Sequence, residues 1–249
     1  MFARLQMQLR ADEDIIQYQK AVIFQSILME NINHEYAEKM HISGLHPYSQ
    51  AVFNRNGMNY WSVSVINQEA YTNIIEPLLS SQFSEFTVKH NNCKVSILEK
   101  QVSSIKKEMF LDKYYFSDSD RYIRINFQTP TAFKSRERYI YYPDLRLIYQ
   151  SLMNKYDSAS FDEVVYSEEV LEQLVQYSTI TQYNLKSCSY YIGNVKIPSF
   201  VGQITIKVNG PQALVNLANF LFRFGEYSGV GIKAGMGMGS IRIAERVKS

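Results

Sequence analysis

The first residues of the chain alternate between hydrophobic and polar side chains, a pattern typical of a half-buried β-strand. Helical spacing follows over about residues 14–31, and two strands at 48–53 and 60–66 are joined by a turn. A second helix near residues 71–78 and a strand or hairpin within 86–98 complete the order βαββαβ, the ferredoxin-like unit. The alternating hydrophobic positions of the first strand are Ala3, Leu5, Met7 and Leu9.

The same order of elements recurs after a polar link over about residues 101–120. A strand around residues 123–127 is followed by two amphipathic stretches, two long strands, a helix that contains Leu214 and a final strand. The sequence therefore predicts an α+β fold of two tandem ferredoxin-like (RRM-like) domains, residues 1–115 and 116–249. The later elements are predicted at residues 143–156, 162–177, 179–192, 195–208 and 238–244.

Glycine is concentrated near the C-terminus, where six of the eleven glycines fall between Gly225 and Gly239. Glycine is favoured where the backbone needs a positive φ angle or a close approach, so we expect this glycine-rich loop to meet a ligand. The preceding helix is predicted to end at Gly225. The loop then leaves the negative end of the helix dipole, which disfavours a nucleotide-phosphate loop. A longer polyanion, held by main-chain NH groups and Lys233, and a hairpin without any ligand both remain open.

Composition places the chain among ordinary globular proteins. Of its 249 residues 46% are hydrophobic, the net charge is only +2, and we expect neither a signal peptide nor a membrane span. Cys93 and Cys188 lack the spacing of metal ligands. We therefore expect a cytoplasmic protein with no metal and no other cofactor.

Because the net charge is small, any binding of a polyanion such as a nucleic acid depends on local basic patches. Lys134, Arg136 and Arg138 alternate with other residues and would share one face if the segment is extended. The many tyrosines and phenylalanines supply rings that can stack on unpaired bases. The plainer alternative is that these charges form the solvated face of a strand and that the rings pack in the core.

Residues 229–239 have the spacing glycine, hydrophobic, glycine, five residues, and then the same triplet again. This pattern resembles the signature loop of the CRISPR-associated endoribonucleases of the repeat-associated mysterious protein (RAMP) superfamily. Segments 129–134, 143–152 and 200–202 are similar to other parts of that family. The resemblance implies the tandem fold, cleavage of precursor CRISPR RNA within its repeats, and repeat RNA as the partner. The expected RNA-binding residues are Gly229, Gly231, Lys233, Gly237, Gly239, Lys134, Arg136 and Arg138.

Three of the four histidines, His34, His41 and His46, fall within thirteen residues. Imidazole has an unperturbed pKa of about 6.5 and therefore exchanges a proton near neutral pH. RNA is cut without a metal ion when a base takes the proton of a 2′-hydroxyl, which attacks the adjacent phosphorus, and an acid protonates the departing 5′-oxygen. A metal site built from three histidines is disfavoured because no acidic ligand accompanies them. For His34 and His90 we expect a capping or surface role.

The family places a catalytic histidine near the end of its first helix, so the resemblance implies His41 as the general base. The implied products carry a 2′,3′-cyclic phosphate and a 5′-hydroxyl. His46 stands where some relatives carry a lysine, and we expect it to act as the acid or as a cation near the phosphate. Tyr48 is a third catalytic candidate. Relatives often carry a tyrosine in the first helix, and this chain departs from them, because Tyr18 comes too early and Tyr36 too late to match that place.

Two other functions remain open from the sequence. A member of the same superfamily that holds guide RNA in an effector complex without cutting it would have the same fold and glycine-rich loop. A ferredoxin-like protein with a small-molecule or protein partner also fits, and it predicts no salt-dependent affinity for RNA. A homodimer and delivery of the product to an effector complex are further partner hypotheses.

Overall fold

A computed structural model of the protein describes residues 1–11, 17–42, 46–89, 92–159 and 164–244, with residues 39, 41 and 42 described by their backbone only. Two larger antiparallel sheets and one short hairpin contain the strands of this part of the chain. Within the same ranges, none of the helices combines the length and the apolar character needed to cross a membrane.

The strands of the first sheet are β1 (Phe2–Ala11), β2 (Tyr48–Arg55), β3 (Met58–Val65), β4 (Glu85–Val88) and β5 (Cys93–Ile105). In the described part of the chain they are antiparallel and lie in the order β2-β3-β1-β5-β4. The four neighbouring strands β2, β3, β1 and β5 have the order of a ferredoxin-like sheet, and β4 adds an edge strand by pairing with β5. The predicted first strand and the predicted hairpin of β2 and β3 are confirmed.

The helical segments of the first half include one that the sequence pattern did not predict. They are α1 (Ala21–Glu30) after a 3₁₀ turn at Tyr18–Lys20, α2 (His34–Ile42), α3 (Gln68–Ala70), a π-helical turn at Tyr71–Ile75 and α4 (Glu76–Leu79). The histidine-bearing segment was expected to be a turn after the first helix, but it forms α2. Asn33 precedes this helix, and its side chain accepts a hydrogen bond from the Tyr36 N at 3.0 Å, which satisfies one of the first NH groups.

The alternation along β1 determines which face of the first sheet is buried. Leu5 and Met7 are fully buried, and the antiparallel register sets Leu5 opposite Val63 and Met7 opposite Trp61. The Trp61 ring meets the ring of Phe24 on α1 edge to face, with 5.0 Å between the ring centroids. Such pairs add to the free energy gained by burial, so α1 is held firmly on this face.

The predicted polar link over residues 101–120 is wrong for much of its length. β5 continues to Ile105 because its backbone pairs with β1, with Gln101 opposite Gln6. α5 (Lys107–Tyr114) follows and buries Phe110. The hydrogen bonds of a ladder join backbones, so a strand with exposed polar side chains can extend without a hydrophobic pattern.

The strands of the second half are β6 (Tyr122–Thr131), β7 (Phe133–Ser135), β8 (Arg138–Ile140), β9 (Ser178–Ile192), β10 (Val195–Val208) and β11 (Ile241–Ile243). Four of them form the second sheet in the order β11-β6-β10-β9, while β7 and β8 pair as a separate hairpin. This is again the ferredoxin-like order, so the prediction of two such units in tandem is confirmed.

The helices of the second half are α6 (Leu145–Ala159), α7 (Glu168–Tyr177) and α8 (Gln212–Ser228), with a 3₁₀ turn at Ala234–Met236. The prediction that α8 ends at Gly225 is wrong, since the helix continues to Ser228. A Cβ atom at Gly225 would lie 2.8 Å from both Leu152 Cδ2 and Ile241 Cδ1. Glycine at this position therefore allows α6 and β11 to pack closely on α8.

The two halves share a hydrophobic contact. Phe2 of β1 lies 4.9 Å from Phe110 of α5 and 5.4 Å from Phe224 of α8, measured between ring centroids. Phe110 also meets Phe220 of α8 at 5.4 Å. The aromatic rings therefore connect the first strand to the core of the second half, and the division of the chain near residue 115 stays a prediction.

Candidate active site

The strand β2 of the first half contacts the glycine-rich loop of the second half, whose residues 229–239 we call the glycine segment. Gln50 is buried and donates from Nε2 to Gly235 O at 2.8 Å and to Ala21 O at 3.0 Å. Its Oε1 accepts from Trp61 Nε1 at 2.7 Å. One side chain thus fixes the glycine segment to α1 and to the first sheet.

The glycines of this segment pack against the protein's own backbone. A Cβ atom at Gly239 would lie 1.9 Å from Val230 O, and one at Gly231 would lie 2.3 Å from Ala132 O. Both glycines also have positive φ angles, of 69° and 74°. Intramolecular contact therefore already requires glycine at these two positions, and direct contact between the glycines and RNA stays a prediction.

The exposed side chain of the glycine segment is that of Lys233. Its backbone is left-handed, with a φ angle of 58°. The preceding residues are held in place, because Ile232 N donates to Ala132 O at 3.0 Å and Gly231 N donates to Ser151 Oγ at 2.9 Å. The rigid start of the segment thus presents a lysine at its surface.

A cavity of about 270 Å³, which we call the His46 cavity, lies between the start of β2 and the glycine segment. The His46 ring lies 5.7 Å from the Tyr48 ring, measured between centroids. No acidic side chain is among the described residues that line the cavity, so an imidazole and two lysines give it a character that suits an anion. The lining consists of His46, Tyr48, Lys155, Gly231, Ile232, Lys233, Ala234 and Gly235.

Of the other three histidines, only His34 has its side chain in the described part of the chain. The backbone of His41 lies in the last turns of α2, while its side chain is outside the described part of the chain. His34 is exposed at the start of α2, with Nδ1 3.6 Å from Glu38 Oε1. His90 lies outside the described residues. Among the described residues, no group of three His, Cys, Asp or Glu side chains is arranged to hold a metal ion.

The tyrosines that were considered for catalysis occupy buried or stacked positions. Tyr48 is 1% exposed, and its hydroxyl accepts a hydrogen bond from Gln25 Nε2 at 3.3 Å. Burial raises the pKa of Tyr48 to about 12, so its hydroxyl stays protonated at neutral pH. Tyr36 is buried in the core of the first half, and Tyr18 stacks on Tyr190. These contacts favour a packing role for Tyr48, and its catalytic role stays a prediction.

Lys155 is a residue of the cavity that the sequence interpretation missed. It lies on α6, is only 6% exposed, and donates from Nζ to Gly229 O at 3.1 Å and to Ser228 O at 3.3 Å. Burial lowers its pKa from the usual 10.5 to about 7. Its spacing could have indicated that it is buried, because it lies seven residues after Ile148 and three after Leu152, on the buried stripe of an amphipathic helix.

The predicted basic face of Lys134, Arg136 and Arg138 does not form, because the segment is a hairpin and not one extended strand. Arg136 and Glu137 have φ angles of 46° and 61° at its turn. Lys134 pairs with Tyr139 while Ser135 pairs with Arg138, so Lys134 and Arg138 lie on opposite faces. Lys134 Nζ also lies 2.8 Å from Glu137 Oε2.

The hairpin nevertheless lies next to the glycine segment. Ala132, just before β7, accepts the hydrogen bond from Ile232 N, and a Cβ atom at Gly231 would lie 3.4 Å from Phe133 Cε1. The start of the hairpin that carries these cations therefore packs directly against the cavity wall. Their binding to RNA stays a prediction.

Comparison with known proteins gives the family. A sequence profile described as CRISPR-associated endoribonuclease Cas6 matches residues 125–241. A CRISPR-associated endoribonuclease Cas6 from Streptococcus thermophilus is 32% identical over 226 residues, which cover 91% of this chain and 92% of the relative. An enzyme of the same description from Mycobacterium tuberculosis is 31% identical over 222 residues, which cover 87% of this chain and 69% of that protein.

The fold agrees with this relationship. A solved structure of a Cas6 product complex is similar with a TM-score of 0.81 and 19% sequence identity, and the match covers 98% of this chain and 99% of that one. At that identity the likeness concerns the fold alone, while the sequence relatives carry the assignment. The chain therefore belongs to the Cas6 family of CRISPR-associated, repeat-processing endoribonucleases.

Proposed function

We propose that this endoribonuclease cleaves precursor CRISPR RNA within its repeats by attack of a ribose 2′-hydroxyl on the adjacent phosphorus, without a metal ion. The observation that carries the proposal is the His46 cavity. There an imidazole from the first half and the glycine segment of the second half meet around a space lined by two lysines. Such a space supplies both a proton-transfer group and cations for a phosphate.

The reaction needs two proton transfers. A base removes the proton of the 2′-hydroxyl, the 2′-oxygen bonds to phosphorus, and the bond from phosphorus to the 5′-oxygen breaks. An acid then protonates the departing 5′-oxygen, which leaves a 2′,3′-cyclic phosphate and a 5′-hydroxyl. We assign His46 to the acid and keep His41 as the proposed base, because imidazole titrates near neutral pH.

Binding of the repeat RNA is assigned to the surface around the cavity. Lys233 is exposed on the cavity wall and can neutralise a phosphate. The hairpin of β7 and β8 adds Arg136 and Arg138 nearby, and the main chain of the glycine segment borders the same space. We also propose a cytoplasmic location, in keeping with Cys93 and Cys188 being thiols and not a disulfide.

The test is single-turnover cleavage of an end-labelled repeat RNA in excess EDTA, with analysis of the product ends. Wild-type protein is expected to cleave at one position within the repeat and to leave a cyclic phosphate and a 5′-hydroxyl. His46→Ala is expected to slow cleavage by about 10²–10⁴-fold, the usual contribution of general acid–base catalysis. His41→Ala is expected to lose a similar factor.

His34→Ala is the matched control, because His34 is exposed on the same helix as His41 and should leave the rate unchanged. Binding of the RNA without cleavage, or cleavage that requires a divalent ion, would overturn the proposed mechanism. Full activity of His46→Ala would remove His46 from the reaction.

A further inference from the structure

The ammonium of Lys155 lies at the junction of α8 and the glycine segment. Ile148, Leu152 and Lys155 follow one another on the buried face of α6, where a hydrophobic residue would be expected at the third position. The lysine Nζ reaches two backbone carbonyls, those of Ser228 and Gly229, at 3.3 and 3.1 Å. The α8 helix ends at these residues, so the carbonyls belong to the negative end of its dipole.

These two carbonyls leave the charge of Lys155 incompletely compensated. An ammonium has three N–H donors, and in the described part of the chain no carboxylate forms an ion pair with it. A buried cation without an anion is costly to keep in a protein. Burial alone lowers the pKa of Lys155 to about 7. A methionine, which is uncharged and one atom shorter, would largely fill the position without this cost.

The surroundings of Lys155 indicate which anion would compensate the charge. The lysine lines the His46 cavity, whose volume of about 270 Å³ has room for a phosphate group together with part of a nucleotide. The titratable groups that share this lining are His46, Tyr48 and Lys233, none of which is acidic. Within the described residues the cavity thus offers cations and proton donors, and we expect its anion to come from a ligand.

We propose that Lys155 is a further catalytic residue, whose ammonium binds an oxygen of the RNA phosphate that is cleaved in the His46 cavity. This inference rests on the proposed function. Binding of the phosphate compensates the buried ammonium and favours its protonated form. The charge then stabilises the additional negative charge that develops on the phosphate oxygens during attack of the 2′-oxygen.

The first test is single-turnover cleavage by Lys155→Met. Loss of one charged hydrogen bond to the phosphate is expected to slow cleavage by about 10–100-fold. Lys94→Met is the matched control, because Lys94 is an exposed lysine that pairs with Glu85 at 2.9 Å, and it should keep the wild-type rate. A purely structural role for Lys155 predicts instead a less stable protein whose folded fraction cleaves normally.

The second test measures binding and does not depend on catalysis. Repeat RNA with a 2′-deoxy sugar at the cleavage position is bound with a normal phosphate or with an uncharged methylphosphonate at the scissile linkage. Wild-type protein should lose about tenfold in affinity on this change, as expected for loss of one charged contact. Lys155→Met should bind the two RNAs with equal affinity, because the ammonium that would contact the phosphate charge is absent.

Equal losses in wild type and Lys155→Met would overturn the assignment of Lys155 to the scissile phosphate. Wild-type cleavage together with an unchanged rate in Lys155→Met would overturn it as well, while the proposed function would stand. If wild type does not cleave the repeat RNA at all, the proposed function fails first. Lys155→Gln replaces the methionine variant in both tests should the latter not fold.

Discussion

Two cations from different halves of the molecule, the half-buried Arg4 and the buried Lys155, reach the last turn of α8, and their surroundings differ. Arg4 on β1 donates to the carbonyl of Glu226 and to Ser64 Oγ, the latter at 3.1 Å, and its guanidinium lies 4.9 Å from the centre of the Tyr227 ring. Lys155 on α6 reaches only carbonyl oxygens among the described residues.

The cavities beside the two cations also differ, both in volume and in their acidic lining residues. The pocket next to Arg4 has a volume of about 10 Å³ and includes the Glu226 side chain, which also lies 3.4 Å from Arg223 and 3.9 Å from Arg242. The cavity next to Lys155 has a volume of about 270 Å³, and none of the described residues that line it is acidic. A charge whose partners the protein itself supplies needs no ligand, whereas a buried charge that faces a cavity without an acidic residue among the described ones favours a ligand.

The largest expected effect concerns the glycine segment, which borders the carbonyls that Lys155 contacts. Gly239→Ala should lower the free energy of unfolding by about 3–5 kcal/mol, because it combines a left-handed backbone with a Cβ atom 1.9 Å from Val230 O. Urea denaturation measures this change. Gly57→Ala is the control, since Gly57 has a φ angle of 80° but no atom within 4 Å of the added Cβ, and it should lose only about 1 kcal/mol.

If Gly239→Ala and Gly57→Ala lower the free energy of unfolding equally, the glycine segment is not held by contacts with its own chain. The difference between Arg4 and Lys155 would then lose its structural basis, because the position of Gly229 would no longer be fixed independently of a ligand.

The second prediction compares Arg4 and Lys155 directly. Arg4→Met removes the hydrogen bonds to Ser64 Oγ and to the Glu226 carbonyl and should cost about 1–3 kcal/mol of unfolding free energy. The cleavage rate of the folded protein should be nearly unchanged. Lys155→Met should keep or raise the stability and lose activity. Denaturation and single-turnover cleavage of both variants provide the measurement, and equal behaviour of the two would contradict the distinction.

The third prediction uses pH to sharpen the same comparison. The pKa of Lys155 is lowered from 10.5 to about 7 in the folded protein, so between these values the unfolded chain holds a proton that the folded chain has released. Stability therefore rises with pH in this range, and the destabilising effect of Lys155 is greatest below pH 7. The gain in unfolding free energy from Lys155→Met should shrink by about 2–3 kcal/mol between pH 7 and pH 9.

Arg4→Met is the control for this measurement, because a guanidinium stays protonated throughout that range. Its effect on stability should be the same at pH 7 and pH 9. Parallel pH curves for wild type and Lys155→Met would show that the lysine is not desolvated in the folded protein.

Much of the fold could be predicted from the pattern of hydrophobic residues. The alternation at Leu5 and Met7, and the second half of β10, depend on one buried face, which the sequence displays directly. Elements that depend on other interactions were missed. The far end of β5 is held by backbone pairing with β1. Gly225 lies inside α8, where glycine leaves room for Leu152 of α6 and Ile241 of β11 and does not end the helix.

The candidate site was predicted in part. His46 was predicted as a catalytic residue and Lys233 as an RNA-binding residue from two separate motifs, and both line one cavity. The prediction that Lys134 and Arg138 share a basic face was wrong, because the hairpin register places them on opposite faces of the hairpin. Lys155 was missed because a lysine in an amphipathic helix is usually exposed, and only the tertiary packing shows that this one is buried.

The most direct test of the account is a structure of the protein bound to repeat RNA that carries a 2′-deoxy sugar at the cleavage position. The account predicts the scissile phosphate in the His46 cavity, with one of its oxygens about 3 Å from Lys155 Nζ. A scissile phosphate bound at another surface, with the His46 cavity free of RNA, would contradict it.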